Sequence, residues 1–201
     1  TLVLGACSED AENIRVTIGR GDTLLTDNAI TYEKPLLIQV SDSDGLPRVG
    51  VPVDIKLRPI EFYKGLFTFN NDTDGDGSFD QWQRNINATC TPEDANNNGR
   101  IDGTEDANAN GVLDPDIPII AQHPSESPTI AAGTARLVTD DNGRGYFVLS
   151  YPRSLATWVR VEVTATVEEG LPENSGVDSF ILPIAISDIS DSLNGKTAEF
   201  S

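Results

Sequence analysis

Residues 93 to 116 read EDANNNGRIDGTEDANANGVLDPD, one acidic phrase written twice. The first copy fills every position of the calcium-loop pattern D-x-[DN]-x-[DN]-G-x5-E. Asp94, Asn96 and Asn98 supply alternate side-chain oxygens, Gly99 makes the sharp turn, and Arg100 offers its carbonyl. Asp102 follows, and Glu105 closes the loop. Alternate oxygens can wrap a hard cation at roughly 2.3–2.6 Å, and a two-oxygen carboxylate completes the shell. The second copy gives Asp106, Asn108, Asn110, Gly111, the Val112 carbonyl and Asp114. Its twelfth residue is Ile117, so the closing carboxylate is missing; Asp116, one residue earlier, is the candidate substitute. A third, earlier stretch, NNDTDGDGSFDQW, offers Asp72, Asp74, Asp76, the Ser78 carbonyl and Asp80, with Gln83 as an imperfect closer. Ca2+, at two or three ions, is the expected cofactor. Zn2+ is disfavoured because the cluster contains no His or Cys.

Asp, Asn and Gly are also the residues of ordinary solvated turns. Three matches in one residue order, with Phe79, Ile101 and Leu113 at the same apolar position, favour ion loops over turns. Catalysis is not expected. His123 is the single histidine, flanked by prolines in a loop, and no G-x-S-x-G nucleophile turn occurs. The chain carries −18, with eleven acids against two bases between residues 70 and 116. Such a field repels nucleic acid and anionic membrane and favours cations.

The elements that must carry these loops read as β. Hydrophobic content is 38%, and 17 Gly with 12 Pro punctuate short apolar runs. Ile14, Val16 and Ile18 alternate with polar residues. Strands are expected over 36–40, 51–57, 134–139, 146–149, 158–165 and 180–184. Turn clusters such as SDSDGLPRVG and DDNGRG separate them. No long helical period is present. The pattern predicts an all-β antiparallel sandwich, with Trp158 as a core aromatic and Trp82 packing the first acidic loop.

LLIQVSDSDGLPRVGVPVDIKL, followed later by TARLVTDDNGRGYFVLSY and VRVEVTATV, resembles the bacterial immunoglobulin-like domains of the invasin and intimin group. The likeness covers about residues 12–60 and 130–186. It implies an immunoglobulin-like sandwich over 14–186, interrupted by a loop-rich acidic insertion at 61–130, and a surface spacer or adhesive role. The acidic phrases follow one another too closely for flanking helices. They resemble thrombospondin type 3 and dockerin calcium repeats more than EF-hands.

The segment 1–13 contains Leu4-Gly5-Ala6-Cys7, which resembles a bacterial lipobox. Two readings stand: Cys7 lipidated, or Cys7 in a disulfide with Cys90. Either places the chain outside the cytoplasm. A membrane partner is expected only through such an anchor. TLVLGA, read as a strand, implies pairing with other protein subunits, and 187–201 is a polar tail. The expected function is a calcium-rigidified extracellular structural or adhesive module; the alternative is a calcium-stabilised carbohydrate-binding module.

Overall fold

The computed structural model describes residues 14–26, 29–71, 79–96, 98–114, 119–122, 134–167, 174–185 and 188. Nine strands form among them: β1 Arg15–Arg20, β2 Thr31–Ser41, β3 Pro52–Asn71, β4 Phe79–Cys90, β5 Ile119–Gln122, β6 Thr134–Val138, β7 Arg144–Pro152, β8 Val159–Val167 and β9 Ser175–Ile181. One sheet runs β1-β2-β7-β5. The other runs β4-β3-β8-β9, with β6 paired to β3 on the same side as β4. All pairings are antiparallel. The protein is an all-β sandwich of two packed antiparallel sheets.

The sequence makes this fold by strict alternation. In β2, Tyr32, Lys34, Leu36, Ile38 and Val40 are buried while their neighbours are not. In β8, Val159, Val161, Val163, Ala165 and Val167 are sealed in the same way. Period-two patterning puts one face of each strand into the shared core. Each buried Val, Leu or Ile contributes about 1.5–3 kcal/mol relative to exposure. Lys34 occupies an inward position, and burial lowers its ammonium from the ordinary lysine range. Its Nζ donates to the carbonyls of Gly21 and Thr23, the latter at 2.9 Å.

The largest departure from the sequence expectation lies in β3. The reading ends a strand at Leu57 and places a loop-rich insertion after it. The strand instead continues to Asn71 and folds back as β4. A bulge explains both the continuation and the hidden pattern. Pro59 pairs Val161 and Glu61 pairs Arg160, so Ile60 is the extra residue. A bulge accommodates a proline that cannot donate to the ladder, and it reverses which residues face inward. Before it, Val53, Ile55 and Leu57 face the main core. After it, Phe62 joins that core, and Tyr63 and Phe67 turn to a second cluster. Trp158 belongs to this second cluster rather than to the main core; its ring meets Phe67 edge-on at 5.3 Å. The expected strand 180–184 is also shifted: β9 ends at Ile181, before Pro183.

At one end of the sandwich, Leu182 is sealed and exchanges backbone hydrogen bonds with Thr157 and Val159. Tyr151 donates to the Pro183 carbonyl at 2.6 Å. Tyr32 donates to Asp188, which Arg153 also contacts. Burial, and then the Asp188 hydrogen bond, push the Tyr32 phenol up to about 12.

Candidate site: the paired acidic loops

The two copies of the acidic phrase fold into two loops with matching hydrogen-bond patterns. In the first, Asp94 Oδ1 accepts the Asn98 N–H at 2.9 Å and Oδ2 accepts the Gly99 N–H at 2.9 Å. Asn96 Oδ1 accepts the Asn98 N–H, and Asn98 Oδ1 accepts the Arg100 N–H at 2.8 Å. In the second, Asp106 holds the Asn110 and Gly111 N–H groups at 3.1 and 3.0 Å. Asn108 Oδ1 accepts from Asn110, and Asn110 Oδ1 from the Val112 N–H. Asx side chains that capture the backbone a few residues on are the local device that bends each loop. Gly99 and Gly111 take φ of 75° and 76°, the left-handed region the turn needs at that position.

Each loop converges on one aspartate. Asn96 Nδ2 and Asn98 Nδ2 donate to Asp102 Oδ2. Asn108 Nδ2 and Asn110 Nδ2 donate to Asp114 Oδ2, both at 2.8 Å. The partial positive charge of two amide groups therefore faces a carboxylate at the centre of each loop. Ile101 and Leu113 are half-buried at equivalent positions and anchor the loops.

The glutamates link the two loops. Glu105 Oε1 accepts the Asn96 N–H at 3.2 Å, and Oε2 accepts the Asp102 N–H at 2.9 Å. Glu93 does the same for the second loop: Oε1 accepts from Ala107 at 3.1 Å and Oε2 from Asp114 at 3.1 Å. The Glu93 N–H also donates to the Asp114 carbonyl at 2.9 Å. Glu93 is buried, at 7% exposure. Each loop is thus closed by the glutamate that precedes the other. The sequence reading did not select Glu93 and looked instead to Asp116 for the second closer. The signal was in the repeat: Glu93 and Glu105 hold the same place in EDAN.

The loop pair rests against the base of the β3–β4 hairpin. A cleft of about 420 Å³ separates them, walled by Phe62, Lys64 and Cys90 on one side and Glu93, Asn108 and Asp114 on the other. Cys90 is partly buried and forms no disulfide among the described residues; Cys7 lies outside them. Asp72, Asp74, Asp76, Ser78 and Asp116 also lie outside them. Asp80 lies within β4. The structure therefore brings together Asp94, Asn96, Asn98, Arg100, Asp102, Glu105, Asp106, Asn108, Asn110, Val112 and Asp114.

Among the described residues, no three His, Cys, Asp or Glu side chains are gathered to hold a metal ion by themselves. The loop side chains are carboxylates and amides, with neither His nor Cys among them. That composition suits a hard cation rather than Zn2+.

The hairpin base is itself fixed by polar and aromatic contacts. Arg84 lies over the Tyr63 ring at 5.0 Å and donates to the Thr157 carbonyl. Tyr63 donates to Glu61 at 2.6 Å and accepts from Arg160 Nε at 3.1 Å. Burial lowers the Arg84 guanidinium, and the Tyr63 hydrogen bond raises that of Arg160.

No family model matches the chain, and no curated protein matches it. Among solved structures, it is similar to a DUF4466 family protein from Parabacteroides merdae ATCC 43184, at 8% identity and a TM-score of 0.32. That alignment covers 84% of this chain and 43% of the other.

Proposed function

We propose that this chain is a non-catalytic structural or adhesive module of the bacterial cell surface whose paired acidic loops are set by calcium. The observation that carries the reading is the repeated loop itself. Two consecutive segments fold Asp and Asn side chains into matching loops, and exchanged glutamates lock them together. Asp94, Asn96, Asn98, Asp102, Glu105 and the Arg100 carbonyl would hold one ion. Asp106, Asn108, Asn110, Asp114 and the Val112 carbonyl would hold the other. A bound cation would neutralise a segment that otherwise carries six acids against Arg100 between Glu93 and Asp114.

The extracellular setting rests on the same chemistry. Loops of mixed neutral and acidic ligands suit the weak to moderate affinity that calcium-rich fluid requires. The lipobox-like residues around Cys7 agree with export. Calorimetric titration of the chelator-stripped chain with Ca2+ tests the reading, paired with thermal unfolding. Two ions bound and a rise in unfolding temperature are expected, since binding to the folded state stabilises it by RT ln(1 + [L]/Kd), about 2.7 kcal/mol at a hundredfold excess over Kd. Absence of both heat and shift would return the loops to ordinary solvated turns.

A further inference from the structure

The chain enters and leaves the described sandwich at opposite ends. Arg15 pairs Ser41, so β1 starts where β2 finishes, and Thr31 pairs Pro152 at the other end of β2. Ile14 lines one cleft with Ser41 and Ser175, which places the start of β9 at the entry end too. The chain departs at the far end. There Leu182 exchanges backbone hydrogen bonds with Thr157 and Val159, and Tyr151 donates to the Pro183 carbonyl at 2.6 Å. Asp188 then reaches Tyr32 and Arg153. Ser41 and Tyr32 are nine residues apart on β2, so entry and exit lie roughly 30 Å apart along the strands.

β1 and β9 lie side by side and run in the same direction. Early in both, a Cβ on Gly176 would come within 2.6 Å of the Val16 carbonyl oxygen. Further along, Arg20 bridges Asp178 at 2.7 Å and lies over the Phe180 ring at 4.9 Å. Six register pairs hold β1 to β2, and seven hold β9 to β8. Tension that pulls β1 toward the entry end and β9 toward the exit end acts along the axis of each strand. The ladder hydrogen bonds lie across that axis, so all of them are loaded at once. A strand pulled crosswise loses them one after another. Sliding β1 would also draw Ile14 and Val16 out of the core.

We propose that the sandwich is a tension-bearing link, in which load entering at Ile14 and leaving past Leu182 is resisted in shear by the β1–β2 and β8–β9 ladders. This builds on the structural-module reading above and gives that module a mechanical task, with no cation needed. The contacts of Leu182, Pro183 and Asp188 at the exit end pass the load into β9 and share it with β7 and β2. The β3–β4 hairpin, the acidic loops and β6 lie off this path: none of them sits between β1 or β9 and its ladder partner.

Single-molecule force spectroscopy of the full chain, with Cys7 and Cys90 changed to Ser, tests the proposal. Forces are compared at one pulling rate, because forced unfolding follows the unfolding barrier. Handles on the first and last residues of the chain load it end to end. Handles on the first residue and on an Asp44→Cys thiol, in the exposed turn just past Ser41, peel β1 from β2 starting at the Arg15–Ser41 pair. The end-to-end geometry should unfold at several times the peeling force, in calcium and in chelator alike. Because the comparison is made in chelator as well, its outcome is separate from that of the calcium titration. Val16→Ala, in β1, should lower the end-to-end force. Leu137→Ala, similarly buried in β6 but off the path, should leave that force unchanged while still lowering stability to denaturant. Equal forces in the two geometries overturn the proposal. So does a Leu137→Ala chain that loses as much end-to-end force as Val16→Ala.

Discussion

Phe147, Leu149 and Tyr151 on β7 are sealed at 0–1% exposure in the same core as Ile38 and Val40 of β2. In the acidic loops from Thr91 to Asp114, Glu93 is the single buried residue among those described. The sandwich is held by apolar side chains whose burial is insensitive to ions. The loops are held by carboxylate and amide oxygens gripping backbone N–H groups, with half-buried Ile101 and Leu113 as small anchors. One region can fold on hydrophobic burial alone. The other confines six acids against one arginine in one short segment. Under the proposed function, this contrast gives a rigid body with a cation-responsive attachment.

The sharpest way to break the comparison is to damage each region and ask whether the other notices. Leu149→Ala should cost about 2–5 kcal/mol, the range for a large-to-small change in a sealed core. The loss should be the same with calcium or with chelator, as read by denaturant unfolding. Glu93→Gln should cost about 1–3 kcal/mol, because its amide nitrogen faces one of the two N–H groups the buried carboxylate holds and leaves that part-buried donor unpaired. Its penalty should fall on the loops, seen as faster hydrogen exchange at Ala107 and Asp114 with the strand amides of β7 unchanged. Glu105→Gln, at the equivalent but less buried position, should cost about 0.5–1.5 kcal/mol. Equal effects at the two glutamates would remove the distinction between a buried and an exposed clasp.

The smallest effect belongs to the exposed ion pair across β3 and β6. The Arg136 hydrogen bond holds the Asp54 carboxyl below its ordinary value of 3.8. The pair's contribution is therefore present above that pH and is lost as pH falls through the lowered value. With both side chains about half exposed, Arg136→Ala should cost under ~0.5 kcal/mol at neutral pH. The difference between variant and parent should vanish in acid, as followed by thermal unfolding across pH.

Much of this was legible in the residues. Alternation in 36–40 and 158–165 located β2 and β8 because a one-sided buried strand must alternate. The D-x-[DN]-x-[DN]-G spacing located both loops because their bends depend on Asx side chains and a left-handed glycine. The second half of β3 was hidden because the bulge at Ile60 reverses its inward parity, so no single period runs through it. β4 was hidden because QWQRNINAT has few apolar residues; it is held by pairing to β3, and Arg84 over the Tyr63 ring ties it to the Tyr63–Phe67–Trp158 cluster. Glu93 was missed because a linear template looks for its closing carboxylate downstream, whereas here it comes from the start of the neighbouring repeat.

The most direct measurement is amide hydrogen exchange, residue by residue, of the stripped chain and of the chain in saturating calcium. The Asn98, Gly99, Asn110 and Gly111 amides, each held by an aspartate, report the loops; Leu149 and Val161 report the sandwich. Calcium-dependent slowing at the four loop amides, with no change at the two strand amides, is the predicted result. Equal exchange in both states at all six positions would contradict a cation-set attachment and leave a sandwich whose acidic loops are fixed by hydrogen bonds alone.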